Sequence, residues 1–140
     1  MRKKGFTLIE LLVVVAIIGL LATLSIVALN NARARSRDAK RVADVKQMQT
    51  ALELYFNDNA SYPSSVTPGG VISVTSTVYM NRVPVPPLPA DGGALCPANP
   101  TAYTYGQTDS GRSYTISYCL GFTTGTILPG VGTATPAGID

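Results

Sequence analysis

Glu10 is the only charged residue between Phe6 and Leu29, a run of 24 residues. A carboxylate at membrane depth costs about 2.5–3.5 kcal/mol on insertion scales. It must therefore be protonated, reach the headgroups, or meet an opposite charge. The other groups able to do chemistry are sparse. Histidine is absent, which excludes Ser-His and Cys-His nucleophile pairs and the usual His-containing zinc sites. All four lysines, at 3, 4, 40 and 46, fall in the first 60 residues. Beyond residue 60 the acids are Asp91, Asp109 and Asp140, too scattered to form a paired-carboxylate or calcium site. No catalytic residue and no metal ligand emerges. Cys96 and Cys119 are the only cysteines. If their part of the chain lies outside the cytoplasm, a disulfide between them follows, closing a loop of about 24 residues and contributing ~3 kcal/mol. The alternative is two buried thiols.

The elements that carry these groups change near residue 60. All ten prolines lie at Pro63 or later, and only Gly5 and Gly19 precede that point among thirteen glycines. Nothing before Asn57 forces a helix to stop. At ~1.5 Å per residue, helical residues 6–29 span ~36 Å, enough to cross a hydrocarbon core. Val13, Val14, Val15, Ile17 and Ile18 are β-branched, but in lipid the backbone must pair internally, and helix wins. Residues 30–58 are expected to continue as an amphipathic helix. Val42, Val45, Met48, Leu52 and Tyr55 share one face, and Lys40 and Asp44 have ion-pair spacing. Residues 59–140 read as a small β-rich part. A strand is expected over 71–80, an exposed proline-rich connection over 83–93, and a hairpin over 102–120. The hairpin turns at Asp109-Ser110-Gly111, and its second arm puts Tyr114, Ile116, Tyr118 and Leu120 on one face. A further strand over 121–128 and a loose tail complete the reading. The expected class is α+β, with a long helix packed on a small antiparallel sheet.

Charge is equally segmented. Residues 1–60 carry nine Lys/Arg against five Asp/Glu; residues 61–140 carry Arg82 and Arg112 against three Asp. The globular part has no electrostatic footprint for nucleic acid. The basic start followed by an apolar run suits a signal peptide, a signal anchor or a core helix, though a core helix would not run 24 residues with one charge.

Lys4-Gly5-Phe6-Thr7-Leu8-Ile9-Glu10 and the apolar stretch after it resemble the processing motif of type IV prepilins and the related pseudopilins, closely over residues 3–22. The resemblance implies a leader of residues 1–5 and cleavage between Gly5 and Phe6 by a membrane-embedded prepilin peptidase. It also implies N-methylation of Phe6 and assembly of many copies into a helical filament. Glu10 of an incoming subunit would pair with the Phe6 amine of a neighbour, which makes a buried carboxylate tolerable. It further implies an inner-membrane assembly platform and a single-pass state with a cytoplasmic N-terminus before assembly. Many type IV pilins carry proline where this chain has Val27, so a bend there is not expected. The Arg33–Arg41 cluster could pair with Asp38 and Asp44 of neighbours, or stay solvated. The run Tyr55, Asp58, Asn59, Tyr62, Pro63 resembles the helix end of small pilins and major pseudopilins, with Tyr62-Pro63 anchoring the next loop. Two filaments fit: a surface pilus, whose subunits often bracket a C-terminal region with two cysteines, or the periplasmic pseudopilus of type II secretion. Calcium would accompany the latter; otherwise no cofactor is expected.

Overall fold

The computed structural model describes residues 5–96 and 102–140. Arg2, Lys3 and Lys4 of the expected leader lie outside them. The chain divides into two compact units, Met1–Arg33 and Ala34–Asp140, and helix α1 (Leu8–Asn59) contributes to both.

In the first unit every described residue is exposed. The helix there is long and apolar enough to cross a membrane. Its two hydroxyl residues are satisfied within the helix itself. Thr23 donates to the Leu20 carbonyl and Ser25 to the Leu21 carbonyl, each at 2.8 Å. Polar side chains are tolerable in lipid when their hydrogen bonds close internally in this way.

The second unit has a core. Val42, Val45, Met48 and Leu52 are buried along one helix face, as the 3.6-residue period requires, and Tyr55 is half-buried at its end. They meet a four-stranded antiparallel sheet in the order β3 (Thr104–Thr108), β4 (Ser113–Leu120), β5 (Gly130–Thr135), β6 (Gly138–Ile139). The expected inner face of β4 is correct: Tyr114, Ile116, Tyr118 and Leu120 are all buried in the core cluster. Gln49 ties the last hairpin to the helix, donating to the carbonyls of Thr135 (2.8 Å) and Gly138 (3.3 Å).

Three local expectations are corrected. Residues 71–80 form a hairpin, β1 (Ile72–Val74) and β2 (Thr77–Met80), because Thr75 turns the chain with φ 52°. Residues 121–128 form no strand beyond the Thr124–Ile127 bridge. The supposedly loose tail supplies β5 and β6 instead. Gly132 makes this possible: it faces Tyr118 across the ladder, and a Cβ there would lie 2.6 Å from the Tyr118 ring. Tyr62 does anchor the chain after the helix. It is buried, stacks on Phe56, donates its N–H to the Gly111 carbonyl and donates its hydroxyl to Glu53.

Candidate functional site

Gly5, Phe6 and Thr7 precede α1 in irregular chain, and all three are exposed. The Gly5–Phe6 bond is thus free of helical hydrogen bonding, and nothing lies within 4 Å of where a Cβ on Gly5 would sit. Thr7 and Glu10 form a reciprocal cap. The Thr7 N–H and hydroxyl both donate to Glu10 Oε2 at 2.8 Å, and the Glu10 N–H donates to Thr7 Oγ1 at 3.3 Å. This is a capping box, in which a hydroxyl and a carboxylate three residues apart satisfy free N–H groups of the helix start. The helix dipole favours a negative charge at that end. Glu10 therefore has an internal partner in the single chain. Both hydrogen bonds to it fall on Oε2, so Oε1 stays open to a donor from outside. The Thr-x-x-Glu spacing ahead of an apolar run was a readable signal for this cap, and Thr7 was the residue overlooked.

A second polar constellation lies in the Ala34–Asp140 unit. Asp38 is fully buried and Arg41 is 3% exposed. Arg41 Nη1 donates to Asp38 Oδ1 at 2.5 Å and to Asp91 Oδ2 at 3.1 Å. Its Nη2 donates to the carbonyls of Pro87 (2.7 Å) and Pro89 (2.9 Å). The other Asp38 oxygen accepts the backbone N–H groups of Gly121 (3.0 Å) and Phe122 (2.8 Å). Arg37 completes a fork on Asp91. The hydrogen bond from Arg37, with help from Arg41, holds the Asp91 carboxyl below the usual carboxylate range, against the opposing effect of burial. The node pins the proline-rich segment and the turn after β4 onto the helix.

This node corrects the reading of the Arg33–Arg41 cluster. Asp38 is consumed within its own chain, and Asp44 accepts the Tyr103 hydroxyl at 2.9 Å, so neither is free for a neighbour. Lys40 and Asp44 form no ion pair among the described residues. Close by, Cys96 and Cys119 form a disulfide with Cα atoms 5.9 Å apart, which staples the segment after Gly92 to β4. No group of three or more His, Cys, Asp or Glu able to hold a metal ion occurs among the described residues.

The family model for the prokaryotic N-terminal methylation motif matches residues 1–26. The chain is 32% identical over 107 residues to type II secretion system core protein G of Pectobacterium carotovorum subsp. carotovorum, covering 69% of each chain. It belongs to the type IV pilin and pseudopilin family. Core protein G of Klebsiella pneumoniae is 31% identical over 121 residues, 77% of this chain and 81% of that one. The type IV major pilin PilE1 of Neisseria gonorrhoeae is 33% identical over 86 residues, 59% of this chain and 52% of that one. No solved structure matches significantly. The family's motif coincides with the capped helix start, and its members are structural subunits rather than enzymes.

Proposed function

We propose that the protein is the structural subunit of a type IV pilus-like surface filament. A prepilin peptidase cuts it after Gly5, Phe6 is N-methylated, and copies polymerise through the N-terminal helix. The observation that carries this reading is the helix start itself. A single carboxylate lies in the apolar, fully exposed stretch of the helix up to Leu29, with four residues between it and the bond that would be cut. Before assembly Thr7 satisfies Glu10 Oε2. Cleavage creates a cationic amine on Phe6, and Oε1 of a neighbouring copy can accept from it. Such a pair in an apolar filament core specifies register as much as it stabilises, because an unmatched partner leaves an uncompensated charge. Assembly is thereby coupled to processing. The partners are other copies of the chain, the peptidase, an inner-membrane assembly platform and the membrane that holds the unassembled subunit. No cofactor, metal or nucleic acid takes part.

A second reading, the periplasmic pseudopilus of type II secretion, has one observation in its favour. The alignments with the core G proteins run further along those relatives than the alignment with PilE1.

The test is Glu10→Ala in the full chain, in a host with the processing and assembly machinery. The leader should still be removed and the membrane pool should stay normal, while filament yield collapses. Normal filament yield from this variant would remove Glu10 from its role and with it the coupling argued above.

A further inference from the structure

The node around Arg41 leaves a simple pattern on the exposed side of the helix. Within residues 34–46 the exposed ionised side chains are Arg35, Lys40 and Lys46, all basic, because Asp38, Arg41 and Asp44 are buried and Arg37 is committed to Asp91. Within residues 47–59 they are Glu53 and Asp58, both acidic. None of these five is in an ion pair among the described residues. Arg35 rests 5.6 Å over the Phe122 ring, Glu53 accepts the Tyr62 hydroxyl and Asp58 accepts the Tyr79 hydroxyl. The exposed helix surface therefore runs from basic to acidic along its axis.

The spacing is also matched. Arg35 precedes Glu53, and Lys40 precedes Asp58, by the same number of residues. Eighteen residues make five whole turns, so each pair shares a helix face about 27 Å apart along the axis. The two pairs lie on different flanks, roughly 140° apart around the helix, on either side of the face opposite the core. A parallel copy displaced by about five turns, and turned so that the two chains present this flank to each other, would place the Lys40 of one chain beside the Asp58 of the other. The same displacement on the other flank would match Arg35 with Glu53. Residues 34–140 hold seven Lys/Arg and seven Asp/Glu, so copies of this unit carry no net charge that would oppose approach. An antiparallel copy could also match such a gradient, but copies anchored in one membrane by their apolar N-terminal helices run parallel, and parallel copies match it only when displaced; such heterologous contacts generate open helical filaments.

We propose that this helix surface is an intersubunit seam whose occupant is a second, parallel copy of the chain, with Lys40 of one subunit paired to Asp58 of its neighbour. The inference rests on the filament reading above and adds the register of the Ala34–Asp140 units to it. It also supplies the partners that Asp38 and Asp44 cannot be.

The experiment uses wild-type filaments treated with a zero-length carbodiimide, which joins a lysine amine to a carboxylate only when the two are in contact. Lys40 and Asp58 of one subunit are about 27 Å apart along the helix and cannot be joined within a chain. The expected product is a Lys40–Asp58 crosslinked peptide between subunits, found by mass spectrometry. Lys40 joined to any other acid, or to none, would overturn the proposal. Charge exchange gives an independent readout. Lys40→Glu and Asp58→Lys should each lower the ratio of filament to membrane-held subunit by about five-fold or more, since each creates a like-charge contact at every repeat. The combined variant should return to within about two-fold of wild type, since reversed charges pair equally well. Single variants that assemble normally, or a combined variant no better than the worse single, would refute the seam. Absence of any wild-type filament would instead refute the filament reading itself.

Discussion

Replacing Asp38 with Ala should be among the most damaging single changes in the Ala34–Asp140 unit. The carboxylate is fully buried and accepts three donors: Arg41 Nη1 and the N–H groups of Gly121 and Phe122. Its removal leaves a nearly buried guanidinium sharing only Asp91 and orphans two backbone donors. Breaking a buried pair by deleting one partner costs about 3–5 kcal/mol. The Gly121 and Phe122 N–H groups are part-buried, and each left unsatisfied adds up to about 1–3 kcal/mol, the upper end applying to full burial. For a domain of about 100 residues this lowers Tm by roughly 15–30 °C. The assay is thermal unfolding of the processed protein in detergent, followed by near-ultraviolet tyrosine dichroism. Tyr62, Tyr103, Tyr114 and Tyr118 are buried, whereas far-ultraviolet signals would be dominated by the long helix. Lys40→Ala, at an exposed and unpaired position, should change stability by less than about 0.5 kcal/mol. A loss below about 1 kcal/mol for Asp38→Ala would refute the account of the node as the anchor of the 86–91 segment.

Other consequences are as direct. Reduction of Cys96–Cys119, or replacement of both by Ser, should cost about 3 kcal/mol, read as a lowered Tm in reductant. Gly121→Ala should destabilise by about 1–3 kcal/mol, because a Cβ there overlaps the Asp91 backbone, and hydrogen exchange should rise in residues 86–92. Stability should fall at both ends of the pH scale. Asp91, held low chiefly by Arg37, contributes fully above its unfolded value near ~3.9 and loses that contribution as pH drops through its lower folded value. Asp91→Asn should flatten this acid limb. Tyr62, pushed up to about 12 by burial and Glu53, stabilises fully below pH ~10 and less as pH climbs from there towards 12. Tm recorded from pH 9 to 12 should fall less steeply in Tyr62→Phe.

Much of this was legible in the chain. The 3.6-residue stripe from Val42 to Leu52 and the two-residue alternation from Tyr114 to Leu120 are local signals, and both faces proved to be core. The tail was misread because Gly130 and Gly132 resemble loop residues. The role of Gly132 appears only when Tyr118 is opposite and needs the space, and Gly130 takes a positive φ of 123° where it pairs with Leu120. Thr75 turns the first hairpin with a β-branched side chain at positive φ, against its own preference, so no sequence signal marked it. The Arg41 node joins residues about fifty positions apart, which one sequence cannot pair. Its consequence was still the larger correction, since burying Asp38 and Asp44 changes which charges the helix can offer a neighbour.

The central claim is that the chain is cut after Gly5 and built into a filament. Intact-mass measurement of filaments sheared from the cell surface, without reduction, tests it most directly. The account predicts the mass of residues 6–140, one methyl heavier on Phe6 and two hydrogens lighter for the Cys96–Cys119 bond. Processed protein confined to membranes would favour the pseudopilus. Residues 1–5 still attached in the assembled fraction would contradict the account.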